Sequence, residues 1–197
     1  MDLRTRRRAS VGLVVLALVA VQLFEAAPAW AESTWNLVAT KCFARKVHAG
    51  DLTWIDACWQ LHKLTHDGSA RKDYFQLTYY GTGGPGPLED LNALGLRVTP
   101  NASPTQQWVD WNPKSDWSGG DCQTIDIGIS YVAFFTYTIH QCPDQWGITK
   151  GVAAGKFTEA WLNLNGTNEN REVGFSIVVK VNQGQRPGWT FWRGSDG

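Results

Sequence analysis

Cys122-Gln-Thr-Ile-Asp-Ile-Gly-Ile-Ser-Tyr-Val-Ala-Phe-Phe-Thr-Tyr-Thr-Ile-His-Gln-Cys142 is the stretch that decides the fold class. Folded back around Val132, it sets Ile125, Ile127 and Ile129 opposite Ile139, Tyr137 and Phe135. Thr124, Asp126 and Gly128 then meet His140, Thr138 and Thr136, and Cys122 lands opposite Cys142. Successive strand residues point to opposite faces, so a slip of one residue would exchange the two sets. One register sorts apolar from polar and also aligns the cysteines, which identifies an antiparallel hairpin. The turn Tyr131-Val132-Ala133 lacks the glycine or asparagine of a tight hairpin, so a looser connection is expected.

Period-two patterning continues outward from this segment. Glu172–Val181 alternates Phe175, Ile177, Val179 and Val181 with Ser176, Val178 and Lys180, and reads as a strand. Lys156–Leu164 reads as another, and Trp189-Thr-Phe-Trp192 as a short last one. Between them, Asn163-Leu-Asn-Gly-Thr-Asn-Glu-Asn170 has the composition of a turn-rich loop. Upstream, Cys58–Leu64 and Tyr74–Tyr80 form two strands joined by the polar loop of residues 65–73.

Residues 35–64 support two readings. They can be strands, or a helical hairpin, since Trp35, Val38, Ala39, Cys42 and Phe43 recur at helical spacing and Thr53-Trp-Ile-Asp56 resembles a helix-start box. Gly50 lies midway between Cys42 and Cys58, so both readings bring those cysteines together. Residues 81–105 form the longest irregular stretch, with a short helix expected over Pro87–Leu94. There the proline is early, Glu89 and Asp90 fall in the first turn, the leucines stand three apart, and Gly95 ends the run.

The N-terminus reads as a cleavable signal peptide over residues 1–31. Arg4, Arg6, Arg7 and Arg8 precede the apolar run Val11–Phe24, and Ala29-Trp30-Ala31 is a small-x-small cleavage pattern. The run is shorter than the roughly 20 residues of a membrane span. Cleavage there leaves residues 32–197 as a single extracellular domain. The whole chain has 18 basic and 18 acidic residues; the signal takes four arginines, Asp2 and Glu25, leaving 14 and 16. A net charge near −2 argues against general attraction to nucleic acid or to an anionic membrane surface. The four cysteines lie beyond the signal, and an even count in an exported chain reads as two disulfides, Cys42–Cys58 and Cys122–Cys142. The fold expected is mainly β: a single-domain antiparallel β-sandwich-like fold with one short helix and two disulfides. The alternative is an α+β fold with the helical hairpin at 35–64.

Ten of the 11 tryptophans lie beyond the signal, and indoles serve both as core filling and as stacking faces for flat ligands. The run Trp108-Val-Asp-Trp-Asn-Pro-Lys-Ser-Asp-Trp117 is too polar to be wholly interior. Trp111 is expected to turn inward with Val109. Trp108 and Trp117 are then the exposed pair, flanked by Asp110 and Asn112 as hydrogen-bonding groups. Asp110, Asn112, Asp116 and Asp121 fail the EF-hand pattern, because Lys114 occupies a ligand position, so no metal is expected. His48, His62, His66 and His140 show no metal spacing, no G-x-S-x-G is present, and Gly81-Thr-Gly-Gly84 lacks the lysine of a phosphate loop. Glu89, Asp110, Asp126, Glu159 and Glu172 could supply a glycosidase pair, but spacing selects none of them. The reading that follows is a secreted noncatalytic binding domain for carbohydrate or a cell-surface polymer, with no cofactor. Its partner is an extracellular glycan or cell-surface protein, with no nucleic acid and no membrane after cleavage. A protein-binding adaptor or inhibitor and a small secreted hydrolase are the rival readings.

Overall fold

The computed structural model describes residues 33–113, 117–118, 123–131, 133–135, 138–141, 145–149 and 158–197. Backbone packing separates Met1–Glu32 from Ser33–Gly197, and everything described belongs to the second unit. The signal-peptide segment and the Cys122–Cys142 pairing lie outside the described residues.

The first sheet carries β1 (Trp35–Val47), β2 (Trp54–Leu64), β3 (Lys72–Gly84), β13 (Arg171–Asn182) and β5 (Gln107–Asn112), side by side in that order. The second carries β14 (Trp189–Asp196), β4 (Leu91–Pro100), β12 (Thr158–Thr167), β11 (Gln145–Thr149) and β6 (Trp117–Ser118). Every ladder is antiparallel. Ile55 and Leu61 of β2, Leu77 and Tyr79 of β3, and Phe175, Ile177 and Val179 of β13 meet Leu94, Leu96 and Val98 of β4 and Ala160 and Leu162 of β12 in one buried core. This is a β-sandwich, and the apolar positions two apart in β13 and β4 build its interior.

A second, smaller ladder covers the outer face of the first sheet. β7 (Gln123–Asp126) pairs with β10 (Thr138–Gln141), and β8 (Ile129–Tyr131) with β9 (Ala133–Phe135). Ile125 meets Ile139, Thr124 meets His140, and Ile129 meets Phe135, the register expected from the sequence. Ile127 is fully buried while Thr124, Asp126 and Thr138 are exposed. The Asn112 side-chain amide donates to the carbonyls of Asp126 (2.6 Å) and Gly128 (2.7 Å), tying the hairpin to β5. Ile127 packs so closely on Gly174 that a side chain there would collide with it. The sheet face beneath is polar: register sets His62, Gln76, Val178 and Asp110 in one cross-strand row, and Gln60, Thr78, Ser176 and Asn112 in the next. Thr78 and Ser176 hydrogen-bond each other at 2.9 Å, and both amide atoms of Gln76 are buried without a partner.

Of the two readings of 35–64 the strands hold, while the short helix expected over Pro87–Leu94 and the loops expected at 81–105 and 163–170 are corrected. Residues 35–64 are two strands rather than a helical hairpin; β1 is bulged between Leu37 and Ala39 and between Phe43 and Lys46. It turns Trp35, Ala39 and Phe43 toward the protein at intervals of four. No helix forms over 87–94, nor anywhere among the described residues. Leu88 is exposed in a bend, whereas Leu91 and Leu94 are buried in β4, beside an irregularity in its ladder with β12. Positions four apart, such as Ala39 and Phe43, share a face in a strand as they do in a helix. The stretch 81–105 is mostly strand, because Leu94 and Trp54 occupy the space that side chains at Gly83 and Gly84 would need. The loop expected at 163–170 shrinks to residues 168–170, since β12 runs on to Thr167 through Gly166 at a φ of 80°.

Cys42 and Cys58 stand opposite each other in the β1–β2 ladder and form the disulfide expected there. Among the described residues, no helix is long and apolar enough to cross a membrane.

Candidate functional site

The residues first singled out do not assemble an exposed face. Trp108 is 8% exposed and belongs to the core, so the expectation that it is an outward stacking ring is overturned. The cause is a bulge in β5. Trp108 pairs with Val179 and Trp111 with Ile177, both core-facing positions of β13, so both indoles turn inward across a three-residue interval. Asp110 and Asn112 pair with Val178 and Ser176 on the opposite face, where Asn112 holds the hairpin. Trp117 falls in β6 opposite Trp146, and its side chain is outside the described residues. The candidate carboxylates are scattered: Glu89 in the β3–β4 bend, Asp110 in β5, Asp126 in β7, Glu159 in β12 and Glu172 in β13.

The outer face of the second sheet gathers a different set. Across β14, β4 and β12, register forms three rows: Trp192, Arg97 and Glu159; then Gly194, Gly95 and Trp161; then Asp196, Ala93 and Asn163. The middle row is nearly free of side chains until Trp161, which leaves a trough. A cavity of about 550 Å³ opens here, lined by Trp161, Trp192, Gly95, Gly194, Lys46 and Asp196, with His48 and Ser195 at its end. That volume lies within the ordinary range of small-ligand sites.

Among the described residues, Trp192 is the largest exposed side chain of this face, with 44% of its surface open. Its indole lies down across the sheet. A Cβ at Gly194 would stand 2.7 Å from Cη2 and one at Gly95 3.0 Å from Cζ3, so only glycine at these two positions lets the ring rest on the backbone. Lys46 Nζ is 5.5 Å and the Arg97 guanidinium 5.2 Å from the ring centre, within cation–π range.

What fixes Trp192 lies on the other side of its own strand. Alternation sends Phe191 inward, where it stacks on Trp59 at 5.4 Å and meets Tyr79 edge-on at 5.1 Å. The Tyr79 hydroxyl donates to the Trp192 carbonyl at 3.2 Å; burial pushes its pKa up, with Arg193 opposing. Lys46 Nζ donates to the Arg193 carbonyl at 2.9 Å and Arg193 Nη2 to the Ala44 carbonyl at 2.7 Å, so β1 and β14 are clasped edge to edge.

Behind His48, at the polar end of the trough, stands Asp51. Its carboxylate accepts from the Thr53 amide (2.9 Å), the Thr53 hydroxyl (2.7 Å) and the Gly197 amide (2.7 Å), with His48 Nδ1 at 3.1 Å. Desolvation raises its pKa, but these hydrogen bonds outweigh it and hold the carboxyl well below the usual carboxylate range. Ligand atoms of His48, Asp51 and Asp196 lie within 4.8 Å of one another. With both Asp51 oxygens already engaged, the group reads as a lock on the β1–β2 turn.

The trough was not found from sequence. Its signals were present in Trp192-Arg-Gly194 and Leu94-Gly-Leu96, glycines inside alternating strands, which mark close approach of a neighbouring group.

No family model matches the chain, and no curated protein matches it. Among solved structures it is similar to Clostridium perfringens delta-toxin, at 9% sequence identity and a TM-score of 0.48, over 84% of this chain and 86% of that chain.

Proposed function

We propose that the protein is an extracellular, noncatalytic carbohydrate-binding domain whose ligand face is the trough around Trp192. The observation that carries this reading is the indole itself, packed over two glycines with 44% of its surface open. A sugar ring stacked there buries its apolar face against the indole. Its hydroxyls then meet donors and acceptors along the rim, Lys46 and Asp196 foremost. That is the design of small-ligand sites, an apolar floor with a few placed polar groups. The site is rigid because Phe191 and the β1–β14 clasp anchor the strand from behind, so little ordering cost falls on binding. The Cys42–Cys58 disulfide fits an oxidising compartment and supports export. The test is co-sedimentation with insoluble cell-wall polysaccharides. Trp192→Ala is expected to abolish retention while leaving the circular dichroism spectrum intact; equal retention of both proteins would refute the reading.

A second reading is favoured by the hairpin alone. Its arms, 123–131 and 133–141, have nearly the length of a bilayer-spanning β-strand, about 9–11 residues. Their sequence alternates isoleucine and aromatic residues with threonine, aspartate and histidine. The sheet face beneath is polar enough to meet water if the hairpin departs. In that reading the hairpin acts at a lipid surface. Dye release from phosphatidylcholine vesicles supports it, and tight vesicles at micromolar protein refute it.

A further inference from the structure

We infer that the trough takes an extended, flat, β-1,4-linked polysaccharide running across the strands, reading about four sugar rings within the chain instead of a terminal sugar. This rests on the carbohydrate reading above and specifies its ligand.

Gly194 of β14 pairs with Gly95 of β4, Gly95 with Trp161 of β12, and Trp161 with Gly147 of β11. Three of four consecutive strands thus contribute a glycine at one level, and the fourth an indole. Neighbouring strands stand about 4.8 Å apart, so this level runs straight across the sheet for about 14 Å. A β-1,4-linked pyranose repeat has nearly the length of one strand spacing, so a chain lying along the row sets one ring over each strand.

The walls agree with this direction. Register places Arg97 on one side of this level and Asp196 and Asn163 on the other. Beyond Trp161 the level continues through Gly147, a position that carries no side chain of its own. A site for a chain end needs a stop on that side. The flatness of the floor chooses among polymers as well: Trp192 lies against Gly194 and Gly95 and offers a planar face. Equatorially linked chains present flat apolar ribbons to such a face, whereas axially linked chains coil away from it.

The probes are gluco-oligosaccharides and chito-oligosaccharides, both β-1,4-linked, of one to six units, titrated calorimetrically into the full protein. Affinity is expected to rise with each unit and level off near four, the tetramer binding about tenfold or more tighter than the dimer. Gly147→Leu, which puts a side chain into the channel beyond Trp161, should weaken the tetramer about tenfold and leave the dimer unchanged. The length series on the unaltered protein decides the matter even if that variant does not fold. Equal affinity for one, two and four units, lost in Trp192→Ala, would overturn the extended-chain inference and leave the carbohydrate reading standing. No binding by any oligosaccharide or by their parent polymers would overturn both.

Discussion

Replacing Trp108 and Trp192 separately by alanine tests the division of labour between two indoles. Trp108 is 8% exposed and Trp192 44% exposed. A core tryptophan buries about 150–250 Å², which at about 25 cal/mol per Å² is worth roughly 4–6 kcal/mol as an upper bound. Trp108 Nε1 is buried without a partner, so truncation also removes an unsatisfied donor. That moves the expected cost of Trp108→Ala toward the lower end, about 3–4 kcal/mol. Trp192 keeps nearly half its surface in water, so Trp192→Ala should cost about 2–3 kcal/mol as an upper bound on the same scale. For a domain of this size each kcal/mol moves the melting temperature by about 2–4 °C. Urea denaturation gives the stability differences, and polysaccharide co-sedimentation gives the second readout. Trp108→Ala is expected to lower the midpoint strongly and, below it, still to bind; Trp192→Ala is expected to do the reverse. A Trp108→Ala protein within about 1 kcal/mol of the parent, or a Trp192→Ala protein that fails to fold, would refute the assignment of core and face.

Removing the Cys42–Cys58 bridge with a double serine variant should cost about 3 kcal/mol, the loop-closure value for its separation of 16 residues; an unchanged denaturation midpoint would show the β1–β2 ladder to be self-sufficient. Asp51→Asn should destabilise the protein at neutral pH. Because the folded-state pKa of Asp51 is depressed, its contribution is complete above the ordinary carboxylate range and fades as pH falls through the folded value. Melting curves of the variant and parent should therefore converge in strong acid, and a gap independent of pH would refute the linkage. Asn112→Ala removes both donors to the hairpin, so amide hydrogen exchange should rise at Asp126 to Tyr131 while β13 stays protected. Equal exchange in the variant and the parent would mean that packing alone holds the hairpin.

The sandwich was legible where strands are regular. The alternation of Glu172–Val181 gave β13, and the paired patterning of 122–142 gave the register of the hairpin pairs that the described residues show, from Gln123 with Gln141 to Asp126 with Thr138 and from Ile129 with Phe135 to Tyr131 with Ala133. Legibility failed at bulges. Trp108 and Trp111 face one way across an interval of three, where plain alternation reads an inside-outside pair. Nothing local in the sequence announces the inserted residue, because the bulge is set by the partner strand. The site escaped notice for a related reason. Trp192, Gly194, Gly95 and Trp161 come from three strands that only the topology β14-β4-β12 places together. The tryptophan-dense segment 108–117 drew attention because its residues are close in sequence, yet its first two indoles point into the core.

The clasp between β1 and β14 has a consequence for biosynthesis. Its two hydrogen bonds join residues 147 and 149 positions apart. The first long strand to emerge during synthesis must therefore wait for the last before its edge is covered. Contacts of such sequence separation form late and slowly, because the loop must be closed before they contribute anything. Trp192 lies in that last strand, so a chain stopped short of β14 would lack both the clasp and the indole. The trough around Trp192 thus comes into being only once β14 has joined the sandwich.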